Sequence, residues 1–207
     1  SRNGWSALQA TKGLLFEATK RTLDVFCASL ALILLSPILI LVSILMKLDS
    51  PGSILYLQRR VGLNRKEFTV YKFRTMVEGA EKDKALWAEP DDPRITKLGR
   101  LMRKLRIDEL PQLFNVLKGE MSIVGPRPER PEFVRELEEK IPHYHKRHLV
   151  KPGMTGWAQV NFRYGASVDD SAEKLKYDLY YVKHRSIAFD LYIMLKTIAV
   201  VLKGKGR

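Results

Sequence analysis

Two adjacent carboxylates, Asp108 and Glu109, follow a run of cations that contains no acid: Arg94, Lys97, Arg100, Arg103, Lys104 and Arg106. A second turn, Gly125-Pro126-Arg127-Pro128, adds another fixed guanidinium. Paired acids inside a basic surround suit work on phosphate esters. The acids hold a divalent metal or attack phosphorus, and the cations take up phosphate charge. An isolated Asp-Glu ahead of a helix is more often a cap and a first-turn acid. Here the cations before the pair and the Arg127 turn after it favour chemistry. Arg103 lies about one helical turn ahead of Asp108. Lys72 and Arg74 alternate along an expected strand, so they share a face and are further candidates for holding phosphate.

The elements that must position these groups are legible in outline. Pro111 favours a helix start, which sets Asp108 and Glu109 just ahead of a helix N-terminus whose dipole supports ionised carboxylates. Leu98, Leu101, Met102 and Leu105 recur at helical spacing with cations opposite, giving a basic amphipathic helix. It either packs a solvated face on the core or lies on an anionic membrane surface, where each cation contributes about 1 kcal/mol. Ile54–Leu57 and Phe68–Phe73 read as strands of a hairpin joined through Val61–Asn64. Glu78–Trp87 reads as a short polar helix, and Pro90–Pro93 as a loop with Asp91 and Asp92 as caps. Ser122–Val124 reads as a strand, and Pro131–Lys140 and Ser171–His184 as helices. Phe189–Leu202 is apolar apart from Lys196 and short of a full span. It reads as an interfacial helix, with a core helix as the alternative, and its cationic tail is Lys203, Lys205 and Arg207.

Val25–Met46 carries no charge and is long enough to cross a bilayer. Ser36-Pro37 sits at its centre, where a proline costs roughly 3 kcal/mol in a straight helix. Both flanks are basic: Lys12, Lys20 and Arg21 before, Lys47, Arg59, Arg60 and Arg65 after. A re-entrant helix-break-helix turning at Ser36-Pro37 keeps both ends on the cytoplasmic side. The Ser36 hydroxyl is placed to satisfy a freed carbonyl. A single spanning helix is the alternative.

A length of 207 residues suits one compact domain, and a net charge of +13 implies an anionic partner. The single cysteine, Cys27, excludes an internal disulfide. The expected architecture is α+β and mainly helical. Residues 1–19 form an N-terminal segment whose Ser1–Asn3 start reads as a processed or truncated end. Residues 20–49 form the re-entrant membrane element, and 50–207 a cytoplasmic catalytic domain. No feature specifies an oligomeric state. His143, His145 and His148 sit beside Lys146 and Arg147, which repel a cation, so zinc is disfavoured.

Four stretches together resemble the bacterial sugar transferases, the monotopic polyprenyl-phosphate phosphoglycosyl transferases. They are Arg106–Pro128, Lys72-Phe-Arg-Thr-Met76, Lys151–Val160 and Tyr177-Asp-Leu-Tyr-Tyr181. The resemblance implies that Asp108 is a nucleophile on the β-phosphorus of a UDP-sugar. UMP would leave, and polyprenyl phosphate would take the sugar-phosphate from the aspartyl intermediate. It implies Mg²⁺ held by Glu109, substrate contacts from Arg127, Lys72 and Arg103, and a place on the cytoplasmic face of the bacterial inner membrane. Trp157 and Gln159 read either as a structural loop or as nucleotide contacts. Two other readings compete. One is a membrane-anchored basic binding module, although no nucleic-acid fold signature appears. The other is a metal-dependent hydrolase of nucleotide-sugars.

Overall fold

A computed structural model describes residues 2–77, 79–80, 92–162 and 167–202, with side chains from residue 13 to 201. Most of Glu78–Trp87 and the expected cap Asp91 lie outside the described residues, as does the tail carrying Lys203, Lys205 and Arg207. Ser1 lies outside them too.

The first element, α1 (Arg2–Asp49), runs through Pro37 without interruption. This corrects the expected break at the level of secondary structure. Pro37 has no N–H for the Ile33 carbonyl, but the Ser36 hydroxyl donates to that same oxygen at 2.8 Å. The helix therefore continues with a substituted hydrogen bond. Its Gly13–Asp49 part is long and apolar enough to cross a membrane, and only 11% of its most apolar window is buried. Asp24, Ala28, Val42 and Met46 form the buried stripe. Ala28 packs with Val70, Leu113, Val116 and Met121, while Val42 and Met46 pack with Phe73 and Met102. The helix thus supplies part of two hydrophobic clusters, on either side of Pro37.

The hairpin is present: β1 (Leu55–Val61) pairs antiparallel with β2 (Glu67–Phe73), from Leu55 opposite Phe73 to Val61 opposite Glu67. The next helix, α2 (Lys97–Lys104), is capped by Thr96, whose hydroxyl accepts from the Gly99 N–H at 2.9 Å. Gly99 lets α2 close on the end of the hairpin, because a Cβ there would sit 2.2 Å from the Thr75 carbonyl oxygen. A 3-10 turn (Ile107–Glu109) follows, then Pro111 at the N-cap of α3 (Gln112–Lys118). Arg21 of α1 donates to the carbonyls of Val116 and Leu117 at 2.5 and 2.7 Å, so it caps the C-terminal end of α3.

The second sheet was half expected. Strand β3 (Ser122–Val124) runs parallel to β4 (Gly153–Thr155), inside a stretch whose sequence read as a turn-rich loop. Glycines make that approach possible: a Cβ on Gly153 would lie 2.0 Å from the Gly125 nitrogen. The remaining helices are α4 (Pro131–Lys140), α5 (Trp157–Asn161), α6 (Val168–His184) and α7 (Ile187–Leu202). A Ser167–Asp170 capping box starts α6 three residues earlier than its apolar periodicity indicated. In α7, Ile193 is fully buried while Leu195 and Ile198 are exposed, so the helix has a core side and an apolar outer side.

Candidate active site

Asp108 and Glu109 both lie in the 3-10 turn between α2 and α3. The residue that opens this turn, Arg106, takes a left-handed backbone with φ 58°. That conformation is uncommon for a side chain with a Cβ and redirects the chain sharply after α2. The α2 seat on Thr75 and the α3 start at Pro111 then hold the turn from both sides.

Glu109 is gripped by cations from three segments. Arg127 donates from Nη1 to Oε2 at 3.2 Å and from Nη2 to Oε1. Lys72 Nζ, on β2, donates to Oε1 at 3.4 Å, and Arg106 Nη1 lies 3.8 Å from the same oxygen. The Glu109 side chain is only 13% exposed. Burial alone would raise its pKa. The Arg127 and Lys72 charges and the Arg127 hydrogen bonds outweigh burial, and they hold the carboxyl well below the usual range.

Asp108 differs in kind. Its Oδ1 is buried and has no hydrogen-bond partner among the described residues. Burial pushes its pKa up, the Glu109 charge adds to that, and Lys72, Arg106 and Arg103 pull the other way. Neighbouring acids whose pKa values are driven apart are a mark of divided roles. Here one acid is a fixed anion and the other keeps a buried oxygen with no partner among the described residues. Lys72 is itself pushed down to about 8, by burial first, and by Arg127 and Arg60 against the pull of Glu109.

Arg103 points its Nε at Thr75 Oγ1, 2.7 Å away, and its charge reaches Asp108. So Lys72, Arg103, Asp108, Glu109 and Arg127 come together as the sequence indicated. Arg74 does not join them. It lies one residue beyond the end of β2 and clasps Ser50 and Pro51 instead, with Nη2 3.1 Å from the Ser50 carbonyl. Trp157 is taken up by aromatic packing on α6 and α7. Its ring centroid is 5.1 Å from Phe189 and 6.0 Å from Tyr192, with the Lys196 ammonium 4.8 Å away. Gln159 donates back to the Met154 carbonyl at 2.9 Å. Both have partners at the β4–α5 corner in this structure, the structural-loop side of the two readings.

Several buried polar groups were not read as a network in the sequence. Asp24 accepts from Ser122 Oγ at 3.0 Å and from the Ile123 N–H at 2.9 Å, which ties α1 to β3. Lys20 donates to Asp190 at 2.5 Å and to the Val124 carbonyl at 3.1 Å. Arg60 donates to the Pro128 carbonyl at 3.0 Å. The available signal for Asp24 was a lone acid at the edge of an otherwise uncharged run.

The donor set also bears on a metal. Among the described residues no three His, Cys, Asp or Glu side chains cluster as a metal site. Mg²⁺, however, commonly uses one or two carboxylates and fills its shell with water and substrate phosphate oxygens. Glu109 would be the carboxylate of such a site, its two oxygens here accepting from Arg127 and one of them from Lys72 as well.

Comparison with known proteins gives a consistent picture. The family described as bacterial sugar transferase matches residues 15–204. A UDP-N-acetylgalactosamine-undecaprenyl-phosphate N-acetylgalactosaminephosphotransferase of Aeromonas hydrophila is 46% identical over 93% of this chain and 45% of its own length. The UDP-glucose:undecaprenyl-phosphate glucose-1-phosphate transferase of Escherichia coli K12 is 41% identical over 86% of this chain and 39% of its own. This chain therefore spans less than half the length of those two relatives. The exopolysaccharide production protein PSS of Rhizobium leguminosarum is 43% identical, over 90% of this chain and 97% of its own. The match covers the acid pair, the Arg127 turn and the elements that hold them: the chain belongs to the bacterial sugar transferase family.

Proposed function

We propose that this chain transfers a sugar 1-phosphate from a UDP-sugar to polyprenyl phosphate, through a covalent intermediate on Asp108. The observation that carries the reading is the asymmetry of the acid pair. Glu109 is locked by Arg127, Lys72 and Arg106, whereas Asp108 Oδ1 is buried beside them with no partner. A desolvated carboxylate oxygen next to a cluster of cations is suited to attack phosphorus while the cations carry the phosphate charge.

In this reading the Asp108 oxygen forms a bond to the β-phosphorus, and the bond to the bridging oxygen breaks. UMP departs with that oxygen and its electron pair. A polyprenyl phosphate oxygen then attacks the same phosphorus, and the Asp108 carboxylate leaves. Arg103, Lys72 and Arg127 stand within the charge field of the pair and would hold the diphosphate in line. Magnesium belongs to the same reading, held by Glu109 together with substrate oxygens. When bound it neutralises charge on the diphosphate and on the departing nucleotide.

The membrane arrangement is part of the proposal. We infer that α1, helical throughout, bends at Ser36-Pro37 within one leaflet and leaves its two ends on one face, the cytoplasmic face of the bacterial inner membrane. The support is that both ends of the apolar run dock on the same domain. Asp24 bonds to Ser122 and Ile123 at one end, and Met46 packs on Phe73 and Met102 at the other. A domain on one side of a bilayer cannot hold both ends of a straight span about 30 Å long. The cationic surface of α2 and the exposed apolar side of α7 suit contact with anionic lipid.

The test supplies UDP-sugars, Mg²⁺ and undecaprenyl phosphate and measures UMP. Lipid-dependent UMP release is expected. Lipid-independent release would replace the reading with a hydrolase, and no release across a panel of UDP-sugars would leave a binding module.

A further inference from the structure

The segment that carries Arg127 is held almost entirely through its carbonyls. Pro126 and Pro128 have no N–H to offer. The Pro126 carbonyl accepts from the Gly153 N–H at 2.9 Å, and the Glu129 carbonyl accepts from the Val61 N–H at 2.9 Å. The Pro128 carbonyl accepts from Arg60 Nη1 at 3.0 Å. The carbonyl of Arg127 itself accepts from Arg147 Nη2 at 2.8 Å.

Arg147 is built for that contact. It is 6% exposed and sits in the 3-10 segment Tyr144–Leu149. Its Nε donates to Asp178 Oδ2 at 3.0 Å, and its Nη1 to the Tyr144 hydroxyl at 2.7 Å. Asp178, on α6, is 2% exposed and also lies 2.8 Å from Nη2. It is the acid of the Tyr177–Tyr181 stretch, to which no part in the chemistry has been given above. A buried ion pair of this kind adds little net stability, because desolvation offsets the attraction. Its effect here is directional. The planar fork reaches Asp178, Tyr144 and the Arg127 carbonyl together, which fixes the peptide from which the Arg127 side chain departs toward Glu109.

We propose that Arg147 and Asp178 are positioning residues for Arg127. They set the Arg127 peptide so that its guanidinium meets Glu109, and they do not themselves touch substrate. The inference rests on the transferase reading, in which Arg127 serves the phosphate site.

The test is a double-mutant cycle on the full chain in lipid, read as kcat/KM for lipid-dependent UMP release, with thermal melting as the control for folding. Arg147→Lys keeps the charge but cannot serve three acceptors in one plane. It is expected to lower kcat/KM by about 10- to 100-fold, the scale of a misplacement near 1 Å. In an Arg127→Lys background the same change is expected to lower it by less than about threefold, because the shared route is already lost. Asp178→Asn is expected to behave alike. Tyr144→Phe buries no lone charge, so it supplies a folded variant if the other two do not fold, with a few-fold loss that also vanishes in the Arg127→Lys background. Losses that multiply in full would overturn the inference, as would unchanged activity in a folded Arg147→Lys protein. A wild-type chain without lipid-dependent UMP release would instead refute the transferase reading.

Discussion

Arg127 meets Glu109 as a two-pronged clamp, with each guanidinium nitrogen on a different carboxylate oxygen. The clamp engages both Glu109 oxygens and leaves Asp108, its neighbour, with a buried oxygen that has no partner among the described residues. That division orders the expected effects of substitution.

Asp108→Asn keeps shape and hydrogen-bonding capacity but removes the oxygen proposed to attack phosphorus. Turnover is expected to fall by more than about 10⁴-fold, and sugar-phosphate labelling of the protein should vanish. Mass spectrometry after reaction with UDP-sugar alone checks the second point. Full activity in this variant would remove the assignment.

Arg127→Ala deletes the clamp on Glu109 and one of the cations proposed to hold the diphosphate. A loss of about 10²- to 10³-fold in kcat/KM is expected, the scale of one lost charge-stabilising donor. Arg127→Lys retains charge without the two-pronged geometry and should fall between this variant and wild type. An Arg127→Lys chain as impaired as the alanine variant would show that shape, rather than charge, is what matters.

Metal dependence should be tied to nucleotide. Three cations already surround Glu109, so a divalent ion entering alone meets a repulsive field. Chelation is expected to abolish activity and added Mg²⁺ to restore it. Mn²⁺ binding, followed by electron paramagnetic resonance, should be weak without UDP-sugar and at least about tenfold tighter with it, which corresponds to about 1.4 kcal/mol of coupling. Tight binding to the chain alone would contradict the charge argument.

His148 makes stability depend on pH. Burial, and after it the Arg147 charge, pushes its pKa from 6.5 down to about 3. The folded state therefore resists protonation that the unfolded chain accepts. This contribution is complete above pH 6.5 and is lost as pH falls toward 3, by up to about 1.4 kcal/mol per unit. Between pH 7 and 5 a loss of about 2 kcal/mol is expected, and His148→Gln should flatten that part of the curve. Thermal melts of the two proteins in the same lipid discs, compared across that interval, provide the measurement.

Topology can be read by single cysteines placed in a Cys27→Ser background. Positions near Lys12 and near Asp49 are expected to react with an impermeant thiol reagent from the same face. Ser36→Ala removes the donor that serves the Ile33 carbonyl and should cost about 1 kcal/mol. Labelling from opposite faces would establish a span.

Local chemistry made much of this fold legible. Pro111 marked the start of α3, and alternating aromatic and branched residues marked β2. The acid pair and Arg127 were legible because unlike charges crowded into one stretch and one turn. What was hidden depended on contacts between distant segments. Strand β4 is three residues long, and its pairing with β3 depends on Gly125 and Gly153 approaching each other, which no period in the sequence reports. Arg74 shares an alternation with Lys72, but β2 ends at Phe73, so the shared face ends with it. Trp157 lies in a turn-rich stretch, and only the packing of α7 shows its ring against Phe189. Helix α1 misled in a different way. The proline implied a break, and the adjacent serine supplied the missing bond.

The docking of α1 means that this apolar helix is not a detachable tether. Ala28, Val42 and Met46 are walls of two cores, and Arg21 closes the end of the helix that follows the acid pair. A soluble version made by cutting ahead of Ser50 would expose the underside of the hairpin and of α3 to water. It should come apart rather than stand alone in solution, so the apolar helix and the domain around the acid pair form one folding unit.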